Sequence, residues 1–293
     1  MAEGNEQKFD HETLGEKRKF IISTYGKNYK IKVFLSLRAM DLNKAITSKK
    51  VKTCDLKKNV GVPVITSNDN VFGRNELSLN KCFVPIGGDF DPEIDEPQFC
   101  EVTKEQHSSY KTFKFQFTPE GKSAFTVALF AHRRIPILDF EYKNNRYRWI
   151  RKRAKFSHSY SYDLYKLSEK DPSLLDGSNR QTFELDNENE LVGYSLILGL
   201  KSKLPQSERN AKDYLGQLKS QKSTSSVRKT AVFSFIDSSF KTTDDPEDIN
   251  SVGLDSSVFL CLATYLKYFE DEREKSDSSS YHSGENGGVN VIA

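Results

Sequence analysis

The stretch from Val258 to Phe269 restricts the possible folds of this chain more than any other. Val258, Phe259, Leu260, Leu262, Ala263, Tyr265, Leu266, Tyr268 and Phe269 crowd into it, with Lys267 as its one charge. On a helix these side chains point in every direction, and a helix that is apolar all round has to be buried all round. The stretch is too short to cross a membrane, which takes about 20 apolar residues, so integral membrane association is not expected. Asp255 stands where an N-cap would accept backbone N–H bonds. Glu270-Asp271-Glu272-Arg273-Glu274 then ends the apolar run. The rest of the chain must therefore supply an apolar enclosure.

The material for that enclosure reads as sheet. The chain has 20 Phe and 13 Tyr against 2 Met, and aromatic residues suit half-buried pleated surfaces. Phe20 to Thr24 reads as the first strand. Tyr29, Ile31, Val33, Leu35 and Leu37 alternate as a strand with one buried face. A short strand is expected near Val62 to Ile65. Phe113, Phe115 and Phe117 alternate with Lys114 and Gln116. Thr118-Pro119-Glu120-Gly121 reads as a type I turn with Pro at its second position. Ala124 to Ala131 is apolar at successive positions and reads as buried on both faces. Ile137 to Tyr142 and Arg146 to Ile150 flank Lys143-Asn144-Asn145, a short hairpin loop. Tyr160 to Leu167, Gln181 to Leu185, Leu191 to Leu198 and Thr230 to Ile236 complete the series.

The organisation expected is one β-rich domain over 18–275. A disordered arm is expected over 1–17, flexible insertions near 41–81 and 202–229, and a disordered Ser/Gly-rich tail over 276–293. Ala211, Leu215 and Leu218 in the second insertion could line a short helix. The fold class is mostly β: an antiparallel β-barrel of about 12 strands around a buried hydrophobic C-terminal helix. A β-sandwich with the helix packed between its sheets is the alternative.

This layout resembles the tubby C-terminal-like superfamily, which includes the phospholipid scramblases. The resemblance is carried by the hairpin Phe140-Glu141-Tyr142-Lys143-Asn144-Asn145-Arg146-Tyr147-Arg148-Trp149, by Leu191-Val192-Gly193-Tyr194-Ser195-Leu196, and by the helix Val258 to Phe269. The hairpin is similar to the tight G-x-x-Y-x-W turn of small tubby-like proteins, with Asn145 where glycine is common. The resemblance implies a twelve-stranded barrel around a hydrophobic helix, and lipid or phosphoinositide binding. It assigns no binding residue.

Composition and motifs narrow the function. A net charge of +3 and a pI near 8.4 are too mild for a nucleic-acid-binding domain. Cys54, Cys82, Cys100 and Cys261 form no C-x-x-C pair, so neither a zinc site nor a disulfide framework is indicated. Scattered thiols fit a reducing compartment. Met1 to Lys19 has no apolar run of the kind a secretory signal carries. A cytoplasmic location is expected, and also a nuclear one. Asp89, Asp91, Glu93, Asp95 and Glu96 miss the calcium-loop spacing, because Ile94 stands at the glycine position and Cys100 at the glutamate position. Those acids read as a solvated loop, and so do Asp244, Asp245, Glu247 and Asp248. Gly193-Tyr194-Ser195-Leu196-Ile197 lacks the closing glycine of a nucleophile elbow. His11, His107, His132, His158 and His282 show no ligand spacing, and there is no Walker loop. No catalytic residue, metal or cofactor is indicated.

One cluster invites a binding role. Arg146, Arg148, Arg151, Lys152, Arg153 and Lys155 lie together without an acid among them, interleaved with Tyr147, Trp149 and Phe156. The cluster has three readings. It can be a solvated strand face, an anion site whose arginine forks suit phosphate, or an import signal at Lys152-Arg153-Ala154-Lys155. The function expected is a non-enzymatic binding or adaptor domain that meets an anionic membrane surface, a phosphoinositide or an acidic protein segment through this hairpin. An enzyme with a dispersed site and a nuclear protein are the alternatives. Ser276, Ser278, Ser279 and Ser280 beside Asp277 are candidate phosphorylation sites.

Overall fold

The computed structural model describes residues 16–25, 30–48, 61–67, 76–108, 110–132, 136–153, 159–169, 171, 173–176, 214–221, 230–237 and 247–280. Twelve strands pair antiparallel in chain order and close into a barrel. They are β1 (Glu16–Tyr25), β2 (Lys30–Phe34), β3 (Ile65–Ser67), β4 (Glu76–Lys81), β5 (Gln98–Gln106) and β6 (Tyr110–Phe117). The second half comprises β7 (Phe125–His132), β8 (Ile137–Tyr142), β9 (Asn145–Arg153), β10 (Tyr160–Lys166), β11 (Tyr214–Gln221) and β12 (Thr230–Asp237). Closure comes from β1 lying along β12, with Glu16 opposite Asp237 and Ser23 opposite Thr230. All twelve strands form one ring, so the sandwich alternative does not apply.

Alternation fills the interior. Phe113, Phe115 and Phe117 point inward and are fully buried, as are Leu129, Phe140, Trp149 and Phe233. Through this interior runs α2 (Leu254–Ser280), on which every residue from Val258 to Tyr268 is buried. Phe259 meets Phe140, Tyr147 and Phe235 at ring separations of 5.9, 5.3 and 5.8 Å. Tyr265 meets Phe113 at 4.8 Å and Phe115 at 5.4 Å. These partners stand on β6, β8, β9 and β12, so the wall surrounds the helix. Each large side chain buried this way contributes about 1.5–3 kcal/mol.

Local readings shift in places. The strand expected to reach Leu37 stops at Phe34, because Ser36 caps a helix, α1 (Leu37–Thr47), and its Oγ accepts from the Ala39 N–H at 3.1 Å. Ala39 and Met40 cover Ile21 and Phe34 on the outside of the barrel. The stretch 41–81 is therefore not simply a flexible insertion: it supplies most of α1 and two strands of the wall. The three-residue β3 is too short to show alternation. Within 202–229, β11 replaces the short helix. Leu218 on β11 faces the core. Gly216 lies so close to β12 that a Cβ there would stand 2.3 Å from the Ser234 carbonyl oxygen. β1 begins at Glu16, inside the expected arm, and α2 continues to Ser280, past the expected start of the tail.

The turn before β7 is set one residue later than expected. The Lys122 N–H donates to the Pro119 carbonyl at 3.2 Å, with Gly121 at φ +67°. β7 alternates, with Val127, Leu129 and Ala131 buried and the intervening residues partly covered. The β8–β9 loop has two residues, not three. Tyr142 pairs with Asn145, while Lys143 and Asn144 adopt φ 51° and 59°, the twist that two-residue hairpins favour. Asp255 is not the N-cap, since α2 begins at Leu254 and the Ser257 N–H bonds the Gly253 carbonyl at 3.0 Å. The strands expected over 181–185 and 191–198 lie outside the described residues.

The helix and barrel are mutually dependent. Removing residues 255–293 is expected to leave an insoluble chain without a cooperative thermal transition, whereas removing 281–293 leaves the melting temperature unchanged. Thermal melts by circular dichroism check both.

Candidate functional site

The basic hairpin is built by strand parity. On β9, Tyr147, Trp149 and Arg151 face the interior, and Arg146, Arg148 and Lys152 face outward. Arg148 makes a two-pronged bond to Asp139 on the neighbouring β8, at 2.8 Å for each prong, and both residues are buried. Asp139 also accepts from the Ser173 hydroxyl at 3.0 Å and the Leu174 N–H at 2.9 Å. Arg146 pairs with Asp176 at 2.7 Å. Residues 173–176 are thus held against the outer face of the β8–β9 hairpin, where Leu174 packs on Ile137. Lys152 pairs with Asp163 on β10, and the Gln217 amide donates to the same carboxylate at 2.7 Å.

Arg151 points inward and meets the helix. Its guanidinium grips Glu270 with two bonds of 2.7 Å, and the Tyr162 hydroxyl donates to Glu270 at 2.5 Å. Burial first, and the Glu270 carboxylate second, push the Tyr162 phenol well above its ordinary value. A second polar knot lies one residue along the helix. Lys267 donates to Asp271 at 2.5 Å and to Thr24 at 2.7 Å, and Thr24 donates to Asp271 at 3.0 Å. Lys267, the one charge within the apolar run, is therefore satisfied by its own helix and by β1.

Four of the six hairpin cations are thus bound to carboxylates. Sequence distance concealed the partners, because Asp139 and Asp163 arrive through strand pairing and Glu270 through the threaded helix. Arg153 sits on β9 opposite Tyr160, with its side chain outside the described residues, and Lys155 lies outside them altogether. Ser276, Ser278, Ser279 and Ser280 fall on the last turns of α2, with side chains outside the described residues. Of the acids read as a solvated loop, Asp91 accepts from the Glu93 N–H at 2.9 Å and Asp95 from the Asp91 N–H at 2.8 Å, while Glu96 accepts from the Thr66 hydroxyl on β3 at 2.9 Å. Among the described residues no group of three or more His, Cys, Asp or Glu could hold a metal. Cys82, Cys100 and Cys261 are free and buried. Burial pushes the Cys82 and Cys100 thiols up, which makes both poor nucleophiles.

A concave feature among the described residues lies elsewhere. β7 pairs with β6 along its whole length, but with β8 only from Leu129–Ala131 to Leu138–Phe140. Past that point the two strands part, and a slot of about 500 Å³ opens between Phe125–Ala128 and Glu141–Tyr142. Phe125, Val127, Tyr142, Leu175 and Leu254 give it an apolar lining, with the charged Lys122 and Lys143 towards its mouth and Glu141 beside the end where the strands still pair. Its far wall is pinned in place. The Tyr142 hydroxyl donates to Asp255 at 2.8 Å, and Lys143 reaches the same carboxylate at 2.7 Å. Burial, and then the Asp255 carboxylate, push the Tyr142 phenol above its ordinary range. Sequence pattern could not reveal this slot, since it arises from a mismatch in how far two strands pair.

A sequence model of the DIA1 family matches residues 15–275. The chain belongs to the DIA1 family. No curated protein and no solved structure matches it. The DIA1 span opens one residue before β1 and ends inside α2. It therefore takes in the whole barrel, both polar knots and the slot, and leaves out Ser276 to Ser280.

Within this DIA1 barrel, Arg151 is a structural residue. Arg151→Ala would leave the buried Glu270 with only the half-exposed Arg273, 3.8 Å away, as a cation, and a loss of about 3 kcal/mol in urea unfolding is expected, the low end for a broken buried pair. Lys152→Ala is expected to cost less, because Lys152 is half-exposed and Asp163 keeps its bond from Gln217.

Proposed function

We propose that this chain is a non-enzymatic binding domain whose ligand sits in the slot between β7 and β8. The observation that carries the reading is the slot itself: a preformed apolar cleft with charged groups at its mouth, the usual form of a recognition site. The phosphoinositide reading of the hairpin loses most of its support, because Arg146, Arg148, Arg151 and Lys152 are matched to carboxylates. An anionic group on the ligand remains part of the proposal. Lys122 is exposed at the open end of the slot and makes no ion pair among the described residues. Kinship with the tubby C-terminal-like superfamily belongs to the same proposal and rests on the shared plan of a barrel around a helix.

The test uses 1-anilinonaphthalene-8-sulfonate, an apolar body with one anionic group. Ala128 lines the slot beside its closed end and is only partly buried, so Ala128→Trp fills it from that end. One saturable site is expected in the full chain. Affinity should fall about tenfold or more in Ala128→Trp, and should also fall in the fully surface-borne Lys122→Glu. Near-ultraviolet circular dichroism establishes that both variants are folded. Identical titrations for all three proteins would refute the reading.

A further inference from the structure

We propose that the occupant of the slot is an extended peptide segment of a partner protein, added as a short strand along the edge of β7 that has no strand partner among the described residues. This rests on the slot being the binding site, and adds what class of ligand it takes.

The walls decide the class. Phe125–Ala128 stays a regular strand, paired on its other side with Lys114–Phe117 of β6, yet has left the β8 ladder. In an antiparallel strand alternate residues direct both N–H and C=O to the same neighbour. Two of these four residues therefore present backbone donors and acceptors to the slot. An acyl chain or other purely apolar ligand would cover those groups without bonding them, at a cost of about 1–3 kcal/mol for each group left unmet. A peptide backbone bonds them, which is the mode of recognition by strand addition. Four residues of strand extend about 13 Å, a length suited to a short linear segment.

Parity then fixes the side-chain pattern. Val127 and Tyr142 face the barrel axis and are buried, while Thr126 and Glu141 face outward and are exposed. A strand lying between them places alternate side chains against the first pair and against solvent. Continuing the β7–β8 register sets Ala128 opposite Glu141 at the closed end and leaves Lys122 beyond the open end. The segment recognised is thus apolar at every second position, polar between, with a carboxylate at the end that reaches Lys122.

The experiment screens the full chain against an array of hexapeptides that alternate apolar and polar residues, with and without a terminal glutamate. The best binder is then titrated after N-methylation of alternate amides in each of the two registers. Selective binding of glutamate-ended peptides is expected, lost in Ala128→Trp and weakened by Lys122→Glu. Methylation in one register should cost about tenfold or more and in the other little. Equal effects of the two registers would overturn strand addition. Binding of dodecanoate and of anilinonaphthalene sulfonate with no peptide bound would overturn the peptide and leave the slot standing. If every probe bound Ala128→Trp as it binds the unaltered chain, the slot itself would be refuted.

Discussion

A helix that is apolar on every side cannot rest against a single surface. It exposes a stripe to water unless something encloses it, and closing a sheet on itself is one way to enclose it. The inward rows of aromatic residues on β6, β8, β9 and β12 follow from that need: Phe113, Phe115, Phe140, Tyr147 and Phe235 all end on Phe259 or Tyr265. The barrel also needs the helix, since a ring of this many strands is too wide for its own side chains to fill. Helix and wall are each other's core.

Apolar contact alone would let the helix slide or rotate. The two polar knots remove that freedom. Arg151 and Tyr162 take hold of Glu270 from β9 and β10, and Thr24 takes hold of Lys267 and Asp271 from β1. A slip of one residue would leave buried charges unmatched, which is far more costly than a misplaced methyl group. At the other end, Asp255 ties the start of α2 to the tip of the β8–β9 hairpin through Tyr142 and Lys143. Tyr142, Lys143 and Leu254 also line the slot, so the feature proposed to bind shares residues with the interaction that seats the helix.

Much of this plan was legible in the residues. The all-round apolar run demanded enclosure, the alternation at Phe113 to Phe117 placed a strand, and the loop at Lys143-Asn144-Asn145 placed a hairpin, though one residue too long. What escaped had physical causes. β3 is three residues long, β4 turns Lys81 inward after Leu77 and Leu79, and β11 sets Gly216 beside Leu218 on its buried face, so each inward apolar row is too short or too interrupted to stand out. The basic cluster looked uncompensated because charge pairing across a sheet ignores sequence distance: Arg151 finds Glu270 from the far end of the chain. The slot had no signature at all, being a place where two well-formed strands stop pairing.

The central claim is that α2 belongs to the same cooperative unit as the barrel. Amide hydrogen exchange measures it directly. The amides of Leu260 to Leu266 should exchange only through global unfolding, with an opening free energy equal to that from urea denaturation and to that of the Phe113 to Phe117 amides. Exchange of the helix amides through a smaller opening, while those of β6 stay protected, would show that the helix leaves the barrel on its own and would contradict the account.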